Sequence, residues 1–197
     1  MNEARVREAG AADDAVVLGL MTEYMTWALA TFERTYGFAM DDDPAGGTAG
    51  DAPDARHTAA ALEQFRRPSG VVVLGEAGGE PVGVAALRVQ PDGAAEIKRM
   101  FVRPEHQGTG LGAALLDRLL AVARDDLRTP LVRLDSNRFM DRAHRLYASR
   151  GFVERAPYPG SEIPQRLQHL WRFYELRLGE GPAGTDRRSL ADPASRA

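Results

Sequence analysis

The stretch that most limits the fold runs from Glu96 to Asp126, EIKRMFVRPEHQGTGLGAALLDRLLAVARDD. It reads as a strand, a glycine-rich turn and an amphipathic helix. Leu111, Leu115, Leu119 and Val122 recur at helical spacing, widened by Ala114 and Leu116, and give the helix one apolar stripe. The turn holds Gln107, Gly108, Thr109, Gly110, Leu111 and Gly112. A glycine turn that opens a helix leaves backbone N–H groups unpaired beside the positive end of the helix dipole. It therefore predicts an anion site, most commonly one for a phosphate compound.

The flanking chain predicts the rest of the elements. Arg5 to Ala9 is a first edge strand, and Ala15 to Tyr36 is a helix with Asp13 and Asp14 at its start and Gly37 as its stop. The aromatics Tyr24, Trp27, Phe32, Tyr36 and Phe38 crowd this helix, as core or as the wall of a pocket. Asp41 to Asp54 reads as a loop, and Arg56 to Phe65 as a short helix. Val71–Glu76 and Pro81–Val89 form a hairpin across Gly78 and Gly79, and Ala94–Val102 is the next strand. After the central helix come a buried strand, Leu131–Asp135, a helix, Asp141–Arg150, a strand from Phe152, and a last strand, Leu170–Leu178. The tail from Gly179 has the composition of a disordered segment. Antiparallel strands followed by a helix–strand–helix–strand half predict an α+β (mixed α/β) fold over residues 5–178.

Composition excludes several chemistries. The 197 residues contain no cysteine, which removes disulfides, thiol nucleophiles and cysteine-held zinc. The net charge of -3 argues against nucleic acid or an anionic membrane as a partner. The charged N-terminus lacks a signal-peptide pattern and no stretch reads as a membrane span, so a cytoplasmic protein is expected. No GxxxxGK[ST], HExxH or GxSxG is present, and the four histidines lack ligand spacing, so no metal is expected.

Gly108-Thr109-Gly110-Leu111-Gly112-Ala113 also fits the dinucleotide pattern GxGxx[GA], with Asp135 placed 27 residues on. The context opposes it: Arg103-Pro104-Glu105-His106 separates strand from glycine, and the preceding strands are hairpin-linked. The fuller match is Gln107-x-x-Gly110-x-Gly112, joined by Ala143-x-x-Leu146-Tyr147-x-x-x-Gly151-Phe152. These two motifs and the element order resemble the Gcn5-related N-acetyltransferases, the GNAT superfamily.

The resemblance implies an acyl-CoA N-acyltransferase fold, a central, mostly antiparallel sheet flanked by helices. It implies acetyl-CoA as acyl donor and an amine acceptor, with direct transfer in a ternary complex. Gln107, Gly108, Thr109, Gly110, Leu111 and Gly112 would hold the coenzyme A pyrophosphate. Gln107 stands where many members have Arg, so Arg103 or Arg142 would supply the missing charge. Main-chain groups of Met100 and Val102 would pair with the pantetheine arm, and Asn137 would give it a polar contact or cap a helix. Tyr147 matches the family's general acid. Glu96 is the base candidate, 11 residues before Gln107 and expected on one strand face with Lys98 and Met100. A surface carboxylate paired with Lys98 or Arg99 is the other reading of Glu96, and a water chain the other route for the proton. Glu162, Trp171 and Tyr174 are candidate acceptor contacts, and a homodimer is compatible with the family. A non-catalytic acyl-CoA-binding module on the same fold is the rival reading. The acceptor itself stays open among amino acids, polyamines, aminoglycosides, toxic amines and protein N-termini.

Overall fold

The computed structural model describes residues 5–40 and 59–179. The expected loop Asp41–Asp54 and all but the first residue of the expected tail lie outside them. The elements in chain order are β1 (Arg5–Glu8), α1 (Asp14–Tyr36), α2 (Ala59–Leu62), β2 (Gly70–Ala77), β3 (Glu80–Val89), β4 (Ala95–Val102), α3 (Leu111–Ala121), β5 (Leu131–Asn137), α4 (Asp141–Ser149), β6 (Val153–Arg155) and β7 (Trp171–Arg177). The strands form one sheet in the order β1-β2-β3-β4-β5-β7-β6. Every pairing is antiparallel except β4 with β5. That topology removes the dinucleotide reading, which needs helical crossovers between parallel strands.

Two apolar layers sandwich the sheet. On one face Val73, Ala85, Leu87, Ile97, Val132 and Leu134 meet Leu111, Leu115, Leu116 and Leu119 of α3 and Tyr147 of α4. Each fully buried leucine stabilises the fold by about 1.5–3 kcal/mol. On the other face Val72, Leu74, Val84, Ala86 and Phe101 meet Val17, Leu20 and Met21 of α1. A third cluster, Phe32, Tyr158, Leu167, Trp171 and Phe173, closes the far end. By length and composition α1 could cross a membrane, contrary to the sequence expectation. Here it lays Val17, Leu20, Met21 and Phe32 inward. The central helix is shorter than expected, because its last turn, Val122–Asp126, widens into a π-turn closed by Leu127 N–H on Val122 O at 2.9 Å.

One irregularity corrects the sequence reading. The β3–β4 register slips between Val84 and Ala86, whose partners are Phe101 and Lys98. The extra residue on β4 is a β-bulge, and Arg99 within it has φ 56°. Glu96 and Lys98 stay on the α1 face, as alternation requires. Met100 does not join them: the bulge turns it to the opposite face, against the α3 layer.

Candidate active site

β4 and β5 run parallel but pair only at Ala95–Val132 and Glu96–Arg133. Beyond Glu96 they diverge, and β5 continues to Asn137 paired with β7 alone. The divergence opens a cleft of about 540 Å³, within the usual range of small-molecule sites. Its walls include Tyr24, Trp27, Met100, Val102, Gly110 and Tyr147. Arg103 N–H donates to Val82 O of β3 at 2.9 Å. Backbone groups alternate along a strand, so the N–H groups of Val102 and Met100 face the cleft edge.

The glycine turn forms the outer end of the cleft. Gly108 and Gly110 have φ +82° and +91°, values that favour glycine, and Gly110 is the N-cap of α3. The N–H groups of the first turn of α3 therefore have no intrahelical acceptor. Gln107 Nε2 donates to Val102 O at 2.9 Å, and Thr109 Oγ1 donates to His106 O at 2.8 Å. Both side chains brace the turn. Gln107, Gly108, Gly110 and Gly112 line the cleft, while Leu111 is buried beneath it in the α3 layer. Arg103 is taken up by Glu23, with bonds of 2.6 and 2.8 Å, which hold the Glu23 carboxyl below its usual range. Arg142 instead reaches Gln107 Oε1 at 3.2 Å and lines the cleft with Arg145. These two arginines are the cations available to a phosphate there.

A valine at Gly110 would hold a β-branched residue at positive φ, at a cost of about 1–2 kcal/mol. Gly110→Val is expected to weaken binding of a pyrophosphate compound at this turn by about ten-fold or more. Gly112 is different, since an added Cβ meets nothing nearer than 3.8 Å. Gly112→Ala should weaken that binding several-fold less, as titrations of both variants with coenzyme A would show.

Tyr147 lies at the inner end of the cleft. Its ring packs on Phe152 and Tyr174, with centroids 5.9 and 5.8 Å away. Its hydroxyl has no hydrogen-bond partner among the described residues. Burial, then the neighbouring Tyr24 and Asp135, push its pKa well above that of a free tyrosine, so the phenol keeps its proton.

Glu96 does not line the cleft. It is fully buried, at 0% exposure, within a charged cluster on the α1 side of the sheet. Oε2 accepts from Arg88 Nε at 3.0 Å, from Arg88 Nη2 at 2.8 Å and from Gln90. Oε1 accepts from Tyr158 OH at 2.9 Å and lies 3.0 Å from Lys98 Nζ. Neither oxygen is left for a substrate. Lys98 also donates to Asp135 Oδ2 at 2.8 Å. Burial opposes the Lys98 charge, but Asp135, Glu96 and Glu162 more than offset it and raise its pKa. Asp135 Oδ1 has no partner among the described residues, and the Asp135 side chain keeps 10% of its surface exposed. The charge of Asp135 acts on both Tyr24 and Tyr147.

Asn137 is buried behind the cleft. Its Oδ1 accepts from Tyr36 OH at 2.8 Å and Phe139 N–H at 3.3 Å, which makes it a turn former, while its Nδ2 is enclosed and unpartnered. Of the other candidate contacts, Glu162 bonds Arg88 at 2.8 Å, and Trp171 and Tyr174 are packed in the apolar clusters. The sequence reading missed Arg88, Gln90, Tyr158 and Arg145. Arg88 had a signal: the hairpin through Asp92 and Gly93 sets it opposite Glu96. Tyr158 had none, because 62 residues separate it from Glu96.

The acetyltransferase (GNAT) family model matches residues 22–152, from within α1 to the residue before β6. The chain belongs to the GNAT acetyltransferase family. Among its GNAT relatives, the chain is 30% identical over 98 residues to an IAA acetyltransferase from Azospirillum brasilense, covering 49% of this chain and 63% of that protein. It is 35% identical over 92 residues to an uncharacterized N-acetyltransferase from Mycobacterium tuberculosis H37Rv, covering 46% and 57%. These matches thus span about six-tenths of the relatives' own length. The GNAT fold is shared with the spermidine N-acetyltransferase of Vibrio cholerae, solved in complex with CoA and spermine, at TM-score 0.60 and 16% identity over 90% of this chain and 96% of that one.

Proposed function

We propose that the protein transfers an acetyl group from acetyl-CoA to a primary amine of a small molecule, by direct attack in a ternary complex. The observation that carries this reading is Tyr147, a neutral hydroxyl with no partner among the described residues, at the inner end of a cleft whose outer end is a turn of free N–H groups. The cleft fits the donor: the α3 N-terminus with Arg142 and Arg145 suits a pyrophosphate. The free edge of Met100 and Val102 suits the pantetheine amides, and the orphaned Asn137 Nδ2 is a donor in want of an acceptor.

The chemistry then follows the residues. The acceptor ammonium first gives up a proton to solvent. Asp135, whose Oδ1 has no partner among the described residues and whose charge acts on Tyr147, is the carboxylate assigned to draw in that ammonium; Glu96, with both oxygens held, positions Lys98 and Tyr158 around it. The amine lone pair forms the new C–N bond, and the Met100 N–H stabilises the negative charge developing on the carbonyl oxygen. The C–S bond breaks as Tyr147 protonates the departing sulfur, and the proton lost from the new amide nitrogen restores the phenol. The raised Tyr147 pKa sets a pH expectation. An acid with an elevated pKa stays protonated as pH rises, so kcat should show no alkaline fall from this group below about pH 10.

The test is CoA release with acetyl-CoA and a panel of amines, with the acetylated product identified by mass. Stoichiometric CoA and N-acetyl amine are expected. Tight acetyl-CoA binding with no amine acetylated would instead mark a non-catalytic binding module.

A further inference from the structure

Among the described residues, the donor cleft, Tyr147 and the Lys98 cluster leave Arg99, a partly buried cation, without a task. Arg99 sits in the β4 bulge between Lys98 and Met100, with a backbone of φ 56° that non-glycine residues rarely adopt. Bulges re-aim side chains next to active sites, and this one lies where β4 leaves β5. Arg99 is partly buried. It makes no hydrogen bond or ion pair with any described residue, while most other described arginines do. The remaining described arginines without a partner, Arg5, Arg128 and Arg145, are all exposed, and Arg145 already faces the donor cleft. Arg99 is not part of that cleft's lining. Its charge acts instead on Tyr24 of α1 and on Glu162 in the segment before β7.

Glu162 is the anion that feels its charge, yet no described carboxylate bonds it directly, so a partly buried guanidinium is left with its planar fork open to a ligand carboxylate. Lys98, the preceding residue, ties this position to Asp135, whose partly exposed carboxylate offers the opposite charge. The two ends present a cation and an anion to one molecule.

We propose that the acceptor is an amine that also bears a carboxylate, an amino-acid-like molecule, whose carboxylate is held by Arg99 while its amine lies toward Asp135. This rests on the N-acetyltransferase reading and narrows its substrate class. It also separates this chain from polyamine chemistry, since a polyamine offers Arg99 only like charge.

The experiment uses matched pairs, amino acids and their decarboxylated amines, with the full chain and acetyl-CoA. The parent should favour the acid member of a productive pair by at least about ten-fold in kcat/KM. Arg99→Gln should remove that preference by raising the acceptor KM, leaving the acetyl-CoA KM and the bare-amine rate unchanged, and Arg99→Lys should restore part of it. Acetylation of bare amines in preference to acids, or an equal loss for both members in Arg99→Gln, overturns the inference and leaves the N-acetyltransferase reading standing. Acetylation of neither member of any pair, with acetyl-CoA bound, overturns both.

Discussion

Tyr147→Phe is expected to lower kcat by about 100-fold or more, with acetyl-CoA affinity within about two-fold of the parent. The substitution removes one oxygen and keeps the ring on Phe152 and Tyr174. Since the hydroxyl has no partner among the described residues, its loss strands no donor or acceptor there, and the melting temperature should hardly move. The effect therefore falls on the leaving group alone. A thiolate expelled without a proton is the worse leaving group, and general acids of this kind contribute about 10²–10⁴-fold. Single-turnover kinetics, set beside donor binding by calorimetry, separate the two quantities. Full turnover in Tyr147→Phe would remove the acid assignment.

Lys98→Met is expected to be the most destabilising single change in the cluster, by about 3–5 kcal/mol. The ammonium lies 2.8 Å from Asp135 and 3.0 Å from Glu96, and removing it leaves the buried Glu96 with Arg88 as its one remaining cation. The sign of the pH dependence follows from the raised Lys98 pKa. Its stabilisation is complete below the unfolded value near about 10.4 and is lost as pH rises through the higher folded value. Urea unfolding at neutral pH should therefore show the full difference between Lys98→Met and the parent, and the gap should narrow only in strong alkali. A difference under about 1 kcal/mol would mean that water reaches this cluster and screens it.

Much of this arrangement was legible in the chain. The hairpin strands, the glycine stop after α1 and the turn before α3 rest on local rules, and they stand within one to three residues of where those rules set them. Glu96 and Lys98 share a face because strands alternate. Met100 leaves that face because of a bulge at Arg99, and no glycine or proline there announces it. The charged cluster was half visible. Arg88 follows from the hairpin register, whereas Tyr158 and Asp135 reach Glu96 and Lys98 only through the order β4-β5-β7-β6. The reading of Glu96 as a possible surface ion pair had the right partner type and the wrong setting, since β3 and the 156–164 segment cover it. For α1, the aromatic run contained two populations. Tyr24 and Trp27 line the cleft and Phe32 joins the far cluster, a division set by which side of the helix meets the sheet.

The most direct test of the account follows the acetyl group itself. Isotope-labelled acetyl-CoA is incubated with the full chain and a small-molecule extract, and labelled products are read by mass spectrometry. The account predicts label on the nitrogen of a primary amine, matched one-to-one by released CoA and abolished by Tyr147→Phe. Label that remains on CoA, or appears only as free acetate, while acetyl-CoA binds tightly, would contradict it.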